Sequence, residues 1–109
     1  MKFTSTRALR QLLQHGVVAT MRQNDKVLVR GKFYMPLYYP LKTVKIRHGR
    51  RVVGLGVIAE VVKNNRANRI RLLPLSGFRT VEEWESEAIR IFGRLPNSIV
   101  VVILVRRYG

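Results

Sequence analysis

Two clusters of basic residues contain the side chains best suited to hold phosphate. They are Lys45, Arg47, Arg50 and Arg51 in the first cluster and Arg66, Arg69 and Arg71 in the second. An arginine guanidinium is planar, binds phosphate through two parallel hydrogen bonds and stacks on bases. Few acidic residues lie near either cluster in the sequence, so we expect an electropositive groove that follows a nucleic-acid backbone. The alternative is a set of solvated strand faces whose charges prevent aggregation through sheet edges.

An aromatic segment interrupted by prolines supplies rings that could stack on bases. Residues 32–41 read K-F-Y-M-P-L-Y-Y-P-L, and lysines flank the rings. Pro36 and Pro40 argue against a regular central strand, so we expect a loop or an edge strand here. Aromatic rings beside cations stack on unpaired bases, and Tyr38 and Tyr39 are the two that we expect to be exposed. The alternative for the other rings is a structural role in covering one end of the fold.

The chain as a whole is strongly basic, and its few acids are concentrated in one place. It has 21 Lys and Arg against 6 Asp and Glu, which gives a net charge of +15. Four of these acids lie within residues 80–93. This pattern favours a polyanionic partner, nucleic acid above all, bound away from the acidic segment. The alternative is a chain that is basic for another reason, such as heavy arginine use in a thermophile.

Length and composition exclude several classes of protein. A chain of 109 residues that is 47% hydrophobic predicts a single domain, residues 1–109, with a buried core. The absence of cysteine excludes disulfides and thiolate metal sites and is compatible with the cytoplasm. We expect no membrane span and no secretory signal, because no apolar run is long enough. We also expect no metal, because His15 and His48 have no further ligands at suitable spacing. We expect no cofactor, because the sequence contains no P-loop and no glycine-rich dinucleotide fingerprint.

Two segments have the periodicity and the end signals of helices. Residues 5–15 contain an apolar stripe, and Gly16 follows it. Residues 80–92 contain a second stripe that includes Trp84. Thr80 and Glu83 predict a capping box, in which each side chain accepts a hydrogen bond from the backbone N–H of the other residue.

Alternating or continuous apolar runs predict the strands. The candidates are residues 17–22, 26–30, 43–47, 52–62, 68–73 and 98–105. Gly54 and Gly56 within the fourth run indicate a bend or a close backbone approach. The last run is apolar on both faces, so we expect it at the centre of a sheet. The expected fold is α+β, a small and mostly antiparallel β-barrel of five to six strands with two α-helices packed outside it.

Two blocks of the sequence are similar to those of a known family. The first block runs from His15 to Arg22 and continues into Asn24-Asp25. The second contains Ser76-Gly77-Phe78, the acidic helix, Pro96 and the strand 101–105. Order and spacing resemble the ASCH domain of the PUA-like β-barrel superfamily, in which the blocks contain G-x-K-T-x-T-x-R and E-G-F. The resemblance spans nearly the whole chain and implies a PUA-like barrel with RNA as the partner.

The resemblance also implies where catalysis lies in the enzymatic members of the family. Some ASCH proteins resemble amidohydrolases that remove the acyl group from acetylated cytidine, with the Lys and a Thr of the first block and the Glu of E-G-F. Thr20 matches the Thr, but the Lys position falls on Val17, or on Val18 in the other alignment, and the Glu position falls on Ser76. Valine can neither attack nor transfer a proton, and serine is a poor substitute for a carboxylate base.

We therefore expect a non-catalytic nucleic-acid-binding module for RNA. Thr20 and Arg22 share one strand face, where Arg22 would hold a phosphate or a base edge; the alternative is an ordinary outward-facing pair. An amidohydrolase-type enzyme acting on a modified nucleoside is the alternative function, and it needs Lys26 or Glu60 close to Thr20. A structural partner in a ribonucleoprotein is a third possibility. The expected nucleic-acid-binding residues are Thr20, Arg22, Tyr38, Tyr39, Lys45, Arg47, Arg50, Arg51, Arg69 and Arg71.

Overall fold

The computed structural model describes all 109 residues and has three α-helices and six strands. The helices are α1 (Thr6–His15), α2 (Arg66–Leu72) and α3 (Val81–Phe92), with a short 3-10 helix, Leu73–Leu75, after α2. The strands are β1 (Val17–Arg22), β2 (Lys26–Val29), β3 (Phe33–Pro36), β4 (Thr43–His48), β5 (Arg51–Lys63) and β6 (Ser98–Arg107). The α+β class is therefore confirmed. No helix has both the length and the apolar character needed to cross a membrane.

Four strands form one antiparallel sheet in the order β1-β6-β5-β4. The last strand of the chain is thus central, as its continuous apolar sequence predicts. Strand β1 is an edge strand that pairs with β6 alone, from Val17 opposite Ile103 to Arg22 opposite Ser98. Strands β2 and β3 pair only with each other and form a separate ribbon, which agrees with the expected loop or edge strand.

The sheet has a buried core on each face. Helix α1 and Phe3 cover one face and pack on residues that include Val18, Ile58 and Val102; we call this cluster the first core. Helix α3 and the end of α2 cover the other face through Trp84 and other apolar residues; we call this cluster the second core. Because successive strand residues point to opposite faces, β1 and the first half of β6 contribute to both cores.

The second half of β6 departs from the expectation of burial on both faces. Ile103 is 46% exposed and Val105 is 63% exposed, whereas Ile99 to Val102 are buried. The α3 side of the sheet is covered only towards the Ser98 end of β6, where the second core lies. Beyond that point this face of β6 meets solvent.

Gly54 and Gly56 permit a close approach between strands, as predicted. A Cβ at Gly54 would lie 2.6 Å from the carbonyl oxygen of Arg106, and one at Gly56 would lie 2.7 Å from Cγ1 of Val102. The register between β5 and β6 shifts between Leu55 and Gly56, which is a β-bulge. The two glycines thus let β5 bend against β6 without a steric clash.

Residues 68–72 belong to helix α2 and Leu73 begins the 3-10 helix, so the prediction of a strand over 68–73 is wrong. The Asn65 side chain accepts a hydrogen bond from the backbone N–H of Asn68 at 2.9 Å and caps the helix. Leu72 is buried in the second core. A run of six alternating residues fits a short helix as well as a strand. Here the Asn65 cap and the packing of Leu72 stabilise the helix.

Helix α3 begins as predicted, but only half of the capping box forms. Thr80 Oγ1 accepts a hydrogen bond from the Glu83 N–H at 3.1 Å. The Glu83 carboxylate accepts one from the N–H of Arg79 rather than Thr80, and it also binds the Arg7 guanidinium at 3.0 Å. The competing charge of Arg7 draws the carboxylate towards α1 and so links the two helices.

The strands do not close into a barrel. The sheet ends at β1 and β4, which do not pair with each other. Lys2 lies between them: its segment pairs with Arg47 of β4, and its carbonyl oxygen accepts a hydrogen bond from Arg22 at 2.6 Å. The remaining strands, β2 and β3, pair with each other as a ribbon and with neither end of the sheet. The observed architecture is an open four-stranded sheet between helices, with a projecting ribbon.

Candidate nucleic-acid interface

A cavity of about 180 Å3 opens along the free edge of β1. Its walls are the segment 2–5, the end of β1 from Thr20 to Arg22, Phe78, and the face of α3 that carries Trp84 and Glu87. The two sequence blocks of the family resemblance therefore meet here. Thr20 and Arg22 come from the first block, and Phe78 comes from the second.

Arg22 is the most constrained charged side chain of this cavity. Its Nη1 donates to the carbonyl oxygen of Lys2 at 2.6 Å, and its guanidinium carbon lies 4.8 Å from the centre of the Phe3 ring. Its Nε is buried without a hydrogen-bond partner. Burial lowers the pKa of Arg22, while the nearby Tyr38 phenol acts in the opposite direction. Arginine stays protonated in proteins, so the cavity contains a half-buried charge that no carboxylate neutralises.

Thr20 supplies a hydroxyl group at the same cavity. Its side chain is almost buried, and its hydroxyl makes no hydrogen bond within the protein. A hydroxyl can both donate and accept, so Thr20 offers a polar contact to a bound group, beside the Arg22 guanidinium that also lines the cavity. The rest of the wall is largely aromatic and aliphatic, including Phe3, Phe78 and Trp84.

Two further cationic side chains, Lys42 and Arg47, lie near Arg22 at the N-terminal segment. Burial lowers the pKa of the Met1 amino group, and the positive charges of Arg22, Arg47 and Lys42 lower it further. Lys42 also lies over two tyrosine rings, 5.9 Å from the centre of Tyr38 and 5.5 Å from that of Tyr39. We call Arg22, Lys42 and Arg47 the cation cluster. None of its members forms an ion pair.

Ion pairs in this chain involve few of the basic residues. Four of 21 are paired: Arg7 with Glu83, Arg69 with Glu85, Arg71 with Glu60 and Arg90 with Glu87. Arg69 and Arg71 were expected on a strand with few acidic residues nearby, and both expectations are wrong for them. They lie on α2, and each binds a glutamate from another element. The second basic cluster therefore has much of its charge neutralised.

The first basic cluster lies as expected. Lys45 and Arg47 point away from the first core, in which Val44 and Ile46 are buried. Arg50 lies in the turn between β4 and β5, Arg51 is the first residue of β5, and both are exposed. Arg47 joins this group to the cation cluster, so the unpaired charge extends from the β1 edge along β4.

The two tyrosines expected to be exposed differ from each other. Tyr39 is exposed, whereas Tyr38 is half-buried and packs against the first core, so the expectation for Tyr38 is wrong. The Asn24 side chain holds Tyr38 by donating to its carbonyl oxygen at 3.0 Å and accepting from its N–H at 2.8 Å. This fixed backbone turns the Tyr38 side chain inwards, towards Arg22.

The positions that match the catalytic residues of the enzymatic relatives do not form a catalytic group. Val18 is buried in the first core, and the Ser76 hydroxyl donates to the Leu73 carbonyl at 2.7 Å and accepts from the Phe78 N–H at 3.0 Å. Lys26 and Glu60 do not line the cavity. Glu87 does line it, but Arg90 binds its carboxylate through two hydrogen bonds of 3.0 and 2.6 Å. No ammonium or carboxylate is hydrogen-bonded to Thr20.

Sequence reasoning missed several residues of this site. Phe3 and Lys2 precede the first helix and have no motif of their own, and Trp84 was assigned only to a buried helix face. The one available signal was the placement of an apolar Phe3 in a polar N-terminal stretch. No group of three or more His, Asp or Glu side chains is arranged to hold a metal ion.

Comparisons of this chain with protein-family models, with curated proteins and with solved structures find no match. The candidate interface is therefore defined by the chain's own geometry. Its parts are the cavity, the cation cluster and the exposed charges of β4 and the following turn.

Proposed function

We propose that this chain is an RNA-binding module that holds one base in the cavity and the adjacent phosphates on the cation cluster and β4. The observation that carries the proposal is Arg22, a half-buried guanidinium in the wall of the cavity whose charge no carboxylate neutralises. A partly buried cation without a counter-ion is costly, and a ligand in the cavity that carries negative charge or hydrogen-bond acceptors would offset that cost.

The size and lining of the cavity support a single planar ring system as its occupant. A volume of about 180 Å3 is below the roughly 300–1,000 Å3 typical of pockets for drug-sized ligands. Phe3, Phe78 and Trp84 offer apolar surfaces, while Thr20 and Arg22 offer polar contacts at one end. Proteins bind unpaired RNA bases in this way, by stacking combined with a few hydrogen bonds.

The positions of the unpaired cations support an RNA that has one base in the cavity and a backbone running towards β4. The unpaired cations continue from Arg22 through Arg47 to Arg50 and Arg51. Arg47 and Arg51 thus lie on a continuous path for a backbone that leaves the cavity. Phosphate contacts supply much of the affinity of a protein for nucleic acid, and these cations can provide such contacts.

We also propose that the fold is an open variant of the PUA-like barrel of the ASCH family. The support is that Thr20 and Arg22 of one block and Phe78 of the other line a common cavity. Gly77, within the E-G-F-like triplet, has a positive φ of 86° and lies against the backbone of Arg7. A glycine is needed at such a position, which gives the resemblance a structural reason.

A salt titration of RNA binding tests the proposed function. The probes are a labelled single-stranded RNA, a hairpin RNA and a DNA duplex of equal length. If the six cations of the interface (Arg22, Lys42, Lys45, Arg47, Arg50 and Arg51) all contact phosphates, log K should fall against log salt with a slope of about −4 for the single strand. We expect the RNAs with unpaired bases to bind more tightly than the DNA duplex.

Two arginine variants form the matched pair for this experiment. Arg22→Lys retains the charge but loses the planar fork, and we expect about tenfold weaker RNA binding. Arg71→Gln removes an arginine that is paired with Glu60, and we expect less than a twofold change. The proposal is wrong if none of the three probes binds at low salt, or if both variants bind as the original chain does.

A further inference from the structure

The ribbon of β2 and β3 projects from the sheet with a fixed base and a tight tip. At its base, Asn24 binds the backbone of Tyr38 in both directions. At its tip, Arg30 and Gly31 have positive φ values of 54° and 66°, and the Lys32 N–H donates to the Val29 carbonyl at 3.1 Å. Two such residues in succession, closed by this hydrogen bond, form a tight turn within the three-residue loop 30–32. The ribbon is therefore a defined hairpin and not an irregular loop.

Apolar side chains cover both faces of this ribbon and remain exposed. Tyr34 is 68% exposed and lies directly opposite Leu28, which is 53% exposed. On the other face Phe33 lies opposite Val29 and is also exposed. No third strand pairs with either edge. Residues of this kind usually cover a core, so their exposure indicates a surface for a partner.

The charges around the ribbon indicate the chemistry of that partner. Lys26, Arg30 and Lys32 form no ion pair. The one acid at the base, Asp25, is hydrogen-bonded by Gln23 and Asn97. A second copy of a chain with a net charge of +15 would bring like charges together. A bilayer would have to bury the charged tip ahead of the apolar residues, which is unfavourable.

We propose that the ribbon is a second RNA contact, in which Tyr34 and Phe33 stack on unpaired bases while Arg30 and Lys32 bind the neighbouring phosphates. This inference rests on the proposed function and extends the interface beyond the cavity. Aromatic stacking suits any base, so the ribbon adds affinity with little sequence preference. Recognition of a particular base is then left to the cavity.

The position of the ribbon sets the length of RNA that reaches both contacts. Its base, at Tyr38, lies beside Arg22. A strand of four residues, such as β2, extends about 13 Å. A stacked strand rises roughly 3.4 Å per nucleotide, so about four nucleotides separate the cavity from the tip. An RNA of three nucleotides should therefore use the cavity alone, and one of nine should use both contacts.

Oligoadenylates of three and nine nucleotides provide the test. Tyr34→Leu retains an apolar side chain but not an aromatic ring, and we expect about tenfold weaker binding of the nonamer with no change for the trimer. Tyr34→Phe retains the ring and should restore nonamer binding to within twofold. Leu28→Ala changes the opposite residue of the same face and should have little effect. Arg22→Lys should weaken binding of both oligonucleotides.

The outcomes distinguish failure of the ribbon inference from failure of the proposed function. If Tyr34→Leu binds the nonamer normally while Arg22→Lys does not, the ribbon inference fails and the proposed function stands. If neither oligonucleotide binds the original chain at low salt, the proposed function fails as well. Vesicles of anionic phospholipid are the third probe: vesicle binding that Tyr34→Leu abolishes, with nonamer binding unchanged, would overturn the inference in favour of a membrane contact.

Discussion

The guanidinium carbon of Arg22 lies 4.8 Å from the centre of the Phe3 ring, so the segment before α1 holds an arginine of the edge strand β1 in place. The same segment accepts the hydrogen bond from Arg22 through the carbonyl oxygen of Lys2. Because the guanidinium is already oriented, binding of a ligand at the cavity does not incur the entropy cost of ordering a long side chain. Phe3 thus combines a role in the first core with a role at the interface.

Replacing Phe3 should separate these two roles. Phe3→Leu keeps an apolar side chain in the first core but removes the ring beneath Arg22. We expect a stability loss of about 1 kcal/mol by chemical denaturation and a several-fold loss of RNA affinity. Val44→Ala, in the same core but away from the cavity, is the control and should lower stability without lowering affinity. Equal effects of both variants on RNA binding would contradict this role of Phe3.

Gly77 should not tolerate a side chain. A Cβ there would lie 2.6 Å from the carbonyl oxygen of Arg7, and its φ of 86° disfavours any other residue. We expect Gly77→Ala to lower the free energy of unfolding by about 2 kcal/mol or more, because backbone atoms of α1 must shift. Gly49→Ala is a matched control, since Gly49 also has a positive φ but has no atom near its Cβ position. Thermal unfolding of the two variants should differ clearly, and equal melting temperatures would refute the close contact.

Substitution of Leu41 should stabilise the fold. It has a φ of 71° and is 82% exposed, so it is strained in the backbone and contributes little burial. Leu41→Asn, which tolerates this conformation better, should stabilise the fold by about 0.5–1 kcal/mol. Its N–H bond to the Ile58 carbonyl can remain, because asparagine keeps the same backbone donor. A lower melting temperature would show that the Leu41 side chain has a contact role that outweighs the strain.

The Glu87 carboxyl should have a lower pKa than an ordinary glutamate. Hydrogen bonding from Arg90 lowers its pKa, although partial burial acts in the opposite direction. Because the folded pKa is below the unfolded value, the pair stabilises the fold above about pH 4.3, and this contribution is lost as the pH falls through the folded pKa. An NMR titration of the carboxyl carbon should show a higher Glu87 pKa in Arg90→Gln. Arg94→Gln should leave it unchanged, and an identical midpoint in all three proteins would refute the assignment.

Local signals predicted much of the fold. Gly16 ends α1 and Thr80 caps α3, as the sequence predicts. The strand pattern also placed β1, β4, β5 and β6 close to their observed limits. These features depend on residues within one or two turns of each other, which is the range over which caps and periodicity act.

The errors arose where distant residues decide the structure. Helix α2 depends on the burial of Leu72 against the sheet, and the open edge depends on the contact of Lys2 with both Arg22 and Arg47. For the candidate site, the motif identified Thr20 and Arg22, which both line the cavity. Phe3 and Lys42 could not be found in this way, because they join the site only through the tertiary fold. Arg69 and Arg71 looked free in sequence because their glutamates come from other elements.

The central position of β6 has a consequence for how the chain folds during synthesis. Its partners β1 and β5 begin at Val17 and Arg51, whereas β6 begins at Ser98. Most sheet contacts are therefore distant in sequence, which is typical of slowly folding domains with high contact order. The edges of β1 and β5 stay unpaired until the ribosome has released residues 98–107. We expect the nascent chain to depend on its strong positive charge, and on chaperones, to avoid aggregation during that interval.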